Sequence, residues 1–130
     1  MDRLPLTFLI IALLALPAMA KELVTPNISI PPERVVEIQL RALQQNDNPW
    51  RGFGIAQTWA FAHPNNKRMT GPIERFSAMI NGPHYQMILN HREHTITSVV
   101  LTENYALFDV FIVTDSEVKA SFKWEVSKVI

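Results

Sequence analysis

The sequence predicts an α+β domain in which three N-terminal helices and a short helical turn pack on a curved antiparallel sheet of three to four strands. Two observations carry this reading. From Val35 to Ile80 the apolar residues recur at helical spacing, and from His91 onward they alternate with polar ones at a period of two. A third observation places the joints. Between Asn48 and Phe76, glycines and prolines sit among large apolar residues, as expected for helices held by short connections.

At 130 residues the chain is one domain at most. Hydrophobic residues make up 48% and charged residues 18%, which suits an ordinary core. Lys plus Arg equals Asp plus Glu at 12 each, so no basic field exists to draw nucleic acid or anionic lipid. There is no cysteine, which excludes disulfides, thiolate metal ligands and a lipidated N-terminal Cys.

The N-terminus carries a compartment signal. Arg3 precedes an apolar run from Leu4 to Leu16, Pro17 breaks it, and Ala18-Met19-Ala20 offers small residues at the positions a signal peptidase reads. Residues 1–20 are therefore expected to be a signal peptide cleaved after Ala20, giving a periplasmic or secreted protein. An uncleaved anchor is the rival. The segment is at the short limit for a spanning helix and holds two prolines, which favours cleavage and no stable membrane span afterwards. Asp2 offsets Arg3, so the charged region is weak. Residues 21–30 read as an extended lead-in and 31–130 as a single α+β domain. Asn27-Ile28-Ser29 is a formal sequon, taken as chance in a bacterial periplasm.

Pro31-Pro32-Glu33 opens the first helix, since proline suits the first turn and an acid suits the N-terminus. Val35, Val36, Ile38, Leu40, Ala42 and Leu43 form its apolar arc, interrupted by Gln39. Gln39 is either a buried amide satisfied by backbone or water, or a polar group lining a pocket. Asn46-Asp47-Asn48-Pro49 ends the helix. Gly52 and Gly54 precede the second one, from Ile55 to Ala62, with Trp59 on its packed face and Phe61 pointing the other way. His63 is read as the C-terminal residue of that helix, complementing its dipole before Pro64 stops it. Asn65-Asn66-Lys67-Arg68 reads as an exposed basic turn. Gly71-Pro72 and Glu74 start the third helix, and Ile73, Phe76 and Ile80 form its core stripe. Asn81-Gly82-Pro83 ends it, and Tyr85 to Leu89 reads as one helical turn carrying Tyr85, Ile88 and Leu89 inward.

Three strands follow, near 94–102, 105–114 and 118–129. The last alternates clearly, with Val118, Ala120, Phe122, Trp124 and Val126 on one face. The middle strand is apolar on both faces apart from Asp109, so register decides the role of that carboxylate. A two-residue loop pairs Asp109 with Phe122 on the interior face; a three-residue loop pairs it with Lys123 on the outer face. The second is favoured, because Ala106, Phe108, Val110 and Ile112 then face Phe122 and Trp124. It gathers Ile96, Val100, Leu107 and Phe111 on the outer face, a patch suited to a homodimer or a covering partner.

This order is similar to the nuclear-transport-factor-2-like cone fold. More specifically, Ile38-Gln39-Leu40, Leu43, Asn46-Asp47, Phe61-Ala62-x-Pro64, Gly71-Pro72-x-x-Arg75-Phe76-x-x-Met79-Ile80 and Tyr85 resemble an uncharacterised family of exported bacterial domains of unknown function, domain of unknown function 4864. The resemblance spans most of the mature chain and rests on packing and turn residues. It implies a fold and export, not an activity. Cone-shaped relatives often enclose a pocket between sheet and helices, and the enzymes among them resemble isomerases and dehydratases with an inward Asp, His or Tyr.

Candidates by residue type are Asp109, Tyr85 and His91 for catalysis, and Gln39, Trp59 and Tyr85 for a ligand pocket. No motif transfers a role to them. His91 and His94 invite a metal reading, but residues three apart on a strand point to opposite faces, and no third ligand is obvious. Glu74-Arg75 reads as a structural pair near a helix start. Neither metal nor cofactor is expected. The leading reading is non-catalytic binding of a small apolar or amphipathic ligand, or a dimeric interaction module. An isomerase or dehydratase using Asp109 and Tyr85, and a structural partner of an envelope protein, are the alternatives.

Overall fold

Four α-helices and one 3-10 turn precede three strands in the computed structural model, which describes residues 22–129. The signal segment expected at 1–20 lies outside them. The helices are α1 (Pro32–Gln44), α2 (Phe53–Ala60), α3 (Pro64–Thr70) and α4 (Ile73–Ile80); the 3-10 turn is Gln86–Ile88. The strands are β1 (Glu93–Leu101), β2 (Tyr105–Val113) and β3 (Lys119–Ser127), in one antiparallel sheet of order β1-β2-β3. The α+β layout is the expected one, with one helix more.

α1 begins as its prolines require, with Glu33 in the first turn and Arg41 in the last. Its buried stripe of Val36, Leu40 and Leu43 packs on Ala106, Phe108, Val110 and Ile112 of β2. α2 starts hard against the end of α1. A side chain at Gly54 would drive its Cβ into the Ala42 carbonyl and to 2.7 Å from Asn46 Oδ1. Gly52, just before, has φ +81°, a conformation that side chains disfavour. Asn46 closes the joint. Its backbone carbonyl accepts from Gly54 N at 3.0 Å, its Oδ1 from Ile55 N at 3.0 Å, and its own N–H donates to Asn90 Oδ1 at 2.9 Å.

The additional helix is α3, where the sequence suggested a basic turn at Asn65-Asn66-Lys67-Arg68. His63 is its N-cap rather than the end of α2: Asn65 N donates to His63 Nδ1 at 3.1 Å. α3 buries none of its residues, so no apolar period announced it. Lys67 lies 5.4 Å over the Trp59 ring and fastens the helix to α2. α4 starts after Pro72 and buries Phe76 and Ile80 of its expected stripe, while Ile73 is only half-buried.

The β2–β3 ladder is unbroken and pairs Asp109 with Lys123, the register of the three-residue loop. The β1–β2 ladder shifts between Ser98 and Val100. That bulge inserts one residue and exchanges faces along β1. Ile96 therefore pairs with Val110 and packs on the core, which corrects its placement in the outer patch. Val100 pairs with Leu107 and stays outside with Phe111.

Candidate functional site

The inner face of β3 is only partly roofed by α1. Beside it, α2–α4 and the 3-10 turn leave a groove of about 640 Å³. Phe61, Met79, Tyr85, Phe122, Trp124 and Val126 belong to its apolar wall, and Gln39 and Thr58 to its polar floor. The period of two along β3 turns Phe122, Trp124 and Val126 into it. Tyr85 enters from just before the 3-10 turn and stacks on Phe122 with ring centres 6.0 Å apart and planes 24° off parallel. His63, Asn65, Asn66 and Thr70 line the end formed by α3.

Gln39 combines both of its sequence readings. It is buried, and its Nε2 donates to Thr58 O at 3.1 Å while its Oε1 accepts from Trp124 Nε1 at 2.8 Å. These bonds hold the amide and the indole in fixed orientations at the floor. Thr58 is held in turn, its hydroxyl donating to Gly54 O at 2.8 Å. The polar end of the groove is thus preorganised by residues 19 and 85 positions apart in the chain.

Trp59, expected in the pocket, is not among the residues that line it. It packs behind the wall on Phe76, ring centres 5.0 Å apart. Phe61, expected to point away from the packed face, lines the groove. Tyr85 is less inward than expected, being 36% exposed.

The three catalytic candidates are not brought together. Tyr85 is in the groove. Asp109 is on the opposite face of the sheet, bonded to Lys123. His91 is buried outside the groove, with Nδ1 2.6 Å from Ile88 O and Nε2 2.7 Å from His94 Nδ1. The two histidines therefore meet, although strand spacing argued that they could not. His91 precedes β1, and Asn90 turns the chain there with φ 56°. Burial lowers the pKa of His91, against the opposing effect of its bond to Ile88. Burial also lowers that of His94, helped by His91 and Arg41 and opposed by Glu37. A shallow cleft of about 300 Å³ lined by Glu33, Glu37, Arg41 and His94 lies beside the pair. Among the described residues, no group of three or more His, Cys, Asp or Glu is placed to hold a metal ion.

Two features go beyond what the sequence suggests. Asn46, a helix stop and part of the family resemblance in sequence, closes the α1–α2 joint. Gln57, buried, forms two bonds with Val24, donating Nε2–H to Val24 O and accepting from Val24 N, each at 2.8 Å. The sequence carries no signal for it, since Gln57 falls on the side of the helix opposite Ile55 and Trp59.

Among the described residues, no helix is long and apolar enough to cross a membrane. No curated protein and no solved structure matches the chain. The likeness to a cone fold accordingly rests on the sequence resemblance. The family model described as domain of unknown function DUF4864 matches residues 29–128, which takes in all four helices and all three strands. The chain belongs to that family of domains of unknown function.

Proposed function

We propose that this chain is an exported domain that holds a small apolar or amphipathic molecule in the groove beside β3, without catalysing a reaction on it. The observation that carries the reading is the pairing of an aromatic and aliphatic wall with a fixed polar group, Gln39, in a groove of about 640 Å³ whose α3 end is polar as well. Ligand sites are commonly built this way, with apolar area supplying affinity and a few oriented polar groups setting pose. Tyr85 adds a hydroxyl on the wall.

Native mass spectrometry of protein purified from its own host tests the reading, with titration of dodecanoate followed by tryptophan fluorescence as the defined probe. A retained small molecule is expected, or saturable dodecanoate binding weakened about tenfold by Tyr85→Ala, the effect of roughly 1.4 kcal/mol of lost contact. Absence of both removes the proposal. Export is tested by N-terminal sequencing, which should begin at Lys21.

An isomerase or dehydratase with Asp109 as base is not retained, because Asp109 is tied to Lys123 across the sheet from Tyr85. The outer face is a poorer docking patch than the sequence suggested. Ile96 has left it, and the Asp109–Lys123 pair divides what remains.

A further inference from the structure

Among the described residues the sheet ends on one side at β3, which pairs there with β2 alone. Two hydrogen bonds beyond the regular ladder fix its phase. Thr114 N donates to Val118 O and Lys128 N to Asn104 O, both at 2.9 Å. Carried along the register, this turns the backbone N–H and C=O groups of Ala120, Phe122, Trp124 and Val126 toward β2. Those of Lys119, Ser121, Lys123, Glu125 and Ser127 point away from the sheet. The opposite edge, β1, carries the bulge at Ser98 to Val100, an irregularity that blunts edge pairing. β3 has neither bulge nor proline over its nine residues, and its inner side chains are only half-buried.

We propose that β3 pairs antiparallel with β3 of a second copy of this chain, about a two-fold axis at Phe122, and extends one sheet through both copies. The charge order of β3 selects this occupant, because it complements its own reverse. Lys119 stands opposite Glu125 of the second copy, Ser121 opposite Lys123, and on the inner face Ala120 opposite Trp124. Moving the axis to Lys123 sets that lysine against itself. Moving it to Trp124 leaves Lys119 without a partner and asks Glu125 to compete with Asp109 for Lys123. Lysines on an edge strand usually discourage pairing. Here one is already neutralised by Asp109, and the other meets a carboxylate. The proposal does not depend on the groove reading. Because Phe122 and Trp124 line the groove, the two grooves would meet along the seam.

Sedimentation velocity and native mass spectrometry of the purified chain test the inference with three variants. The parent is expected to be a dimer. Ser121→Pro removes an N–H that points away from β2 and makes no bond among the described residues, so it should give a monomer with unchanged far-ultraviolet circular dichroism. Glu125→Lys should weaken the dimer by about tenfold, from two reversed cross-strand pairs, and Lys119→Glu with Glu125→Lys should restore it. A parent that stays monomeric to its solubility limit overturns the proposal. So does a dimer untouched by Ser121→Pro, or a charge swap that fails to restore association. Should Ser121→Pro misfold, the charge series decides alone.

Discussion

His91 and His94 share a hydrogen bond of 2.7 Å between Nε2 and Nδ1, and the carbonyl of Ile88 decides which ring supplies the proton. A carbonyl only accepts, so His91 carries its proton on Nδ1. With both pKa values lowered, both rings are neutral at pH 7, and His91 Nε2 is a bare acceptor. His94 must then donate from Nδ1, leaving its own Nε2 unprotonated. Nitrogen-15 spectra at pH 7 should show Nε2 of both rings as the unprotonated type.

The same pair sets an acid limit on stability. Both folded values lie below the ordinary 6.5, so between 6.5 and the folded values the unfolded chain binds more protons than the native one. Stability is fully present above 6.5 and is lost as pH falls through that window. Charging both rings would set two donors, His91 Nε2 and His94 Nδ1, face to face and break the bond. Urea midpoints should therefore fall from pH 7.5 to pH 5, and a His91→Asn, His94→Gln variant should flatten the profile. An equally steep fall in that variant would assign the acid sensitivity elsewhere.

The α1–α2 joint is sensitive to single atoms. Asn46→Ala removes the acceptor for Ile55 N in a buried site and should cost about 1–3 kcal/mol by urea unfolding. Gly54→Ala adds a methyl where the Ala42 carbonyl already sits and should cost about 1–3 kcal/mol through overpacking. A neutral result at either position would show that the joint can open without penalty.

Asp109→Asn is expected to be mild. Lys123 is largely exposed, with its side chain 68% accessible, and pairs of that kind are worth below about 1 kcal/mol. Dodecanoate affinity should not change, since the carboxylate faces away from the groove. A tenfold loss of binding in this variant would return Asp109 to the site.

Much of the fold was legible because its signals are local. The prolines that open α1, the apolar stripes of α1 and α4, and the alternation of β3 each follow from one short stretch. The Asp109–Lys123 register was the favoured of two, since that loop length sets apolar residues of both strands against one another, and the ladder itself decided for it. α3 was missed because its start rests on His63 capping Asn65, and its exposed residues leave no period to read.

By itself the sequence determined the α+β class, the order of helices before strands, and the pairing of β2 with β3. Only the tertiary structure decided where Ile96 points, because a one-residue bulge reverses faces and carries no residue type of its own. It also decided that His91 meets His94, through a turn at Asn90 that strand periodicity does not describe. The groove belongs to the same class. Gln39, Tyr85, Phe122 and Trp124 meet there only when helix α1, the 3-10 turn and an edge strand are packed together, and no local pattern records such a meeting.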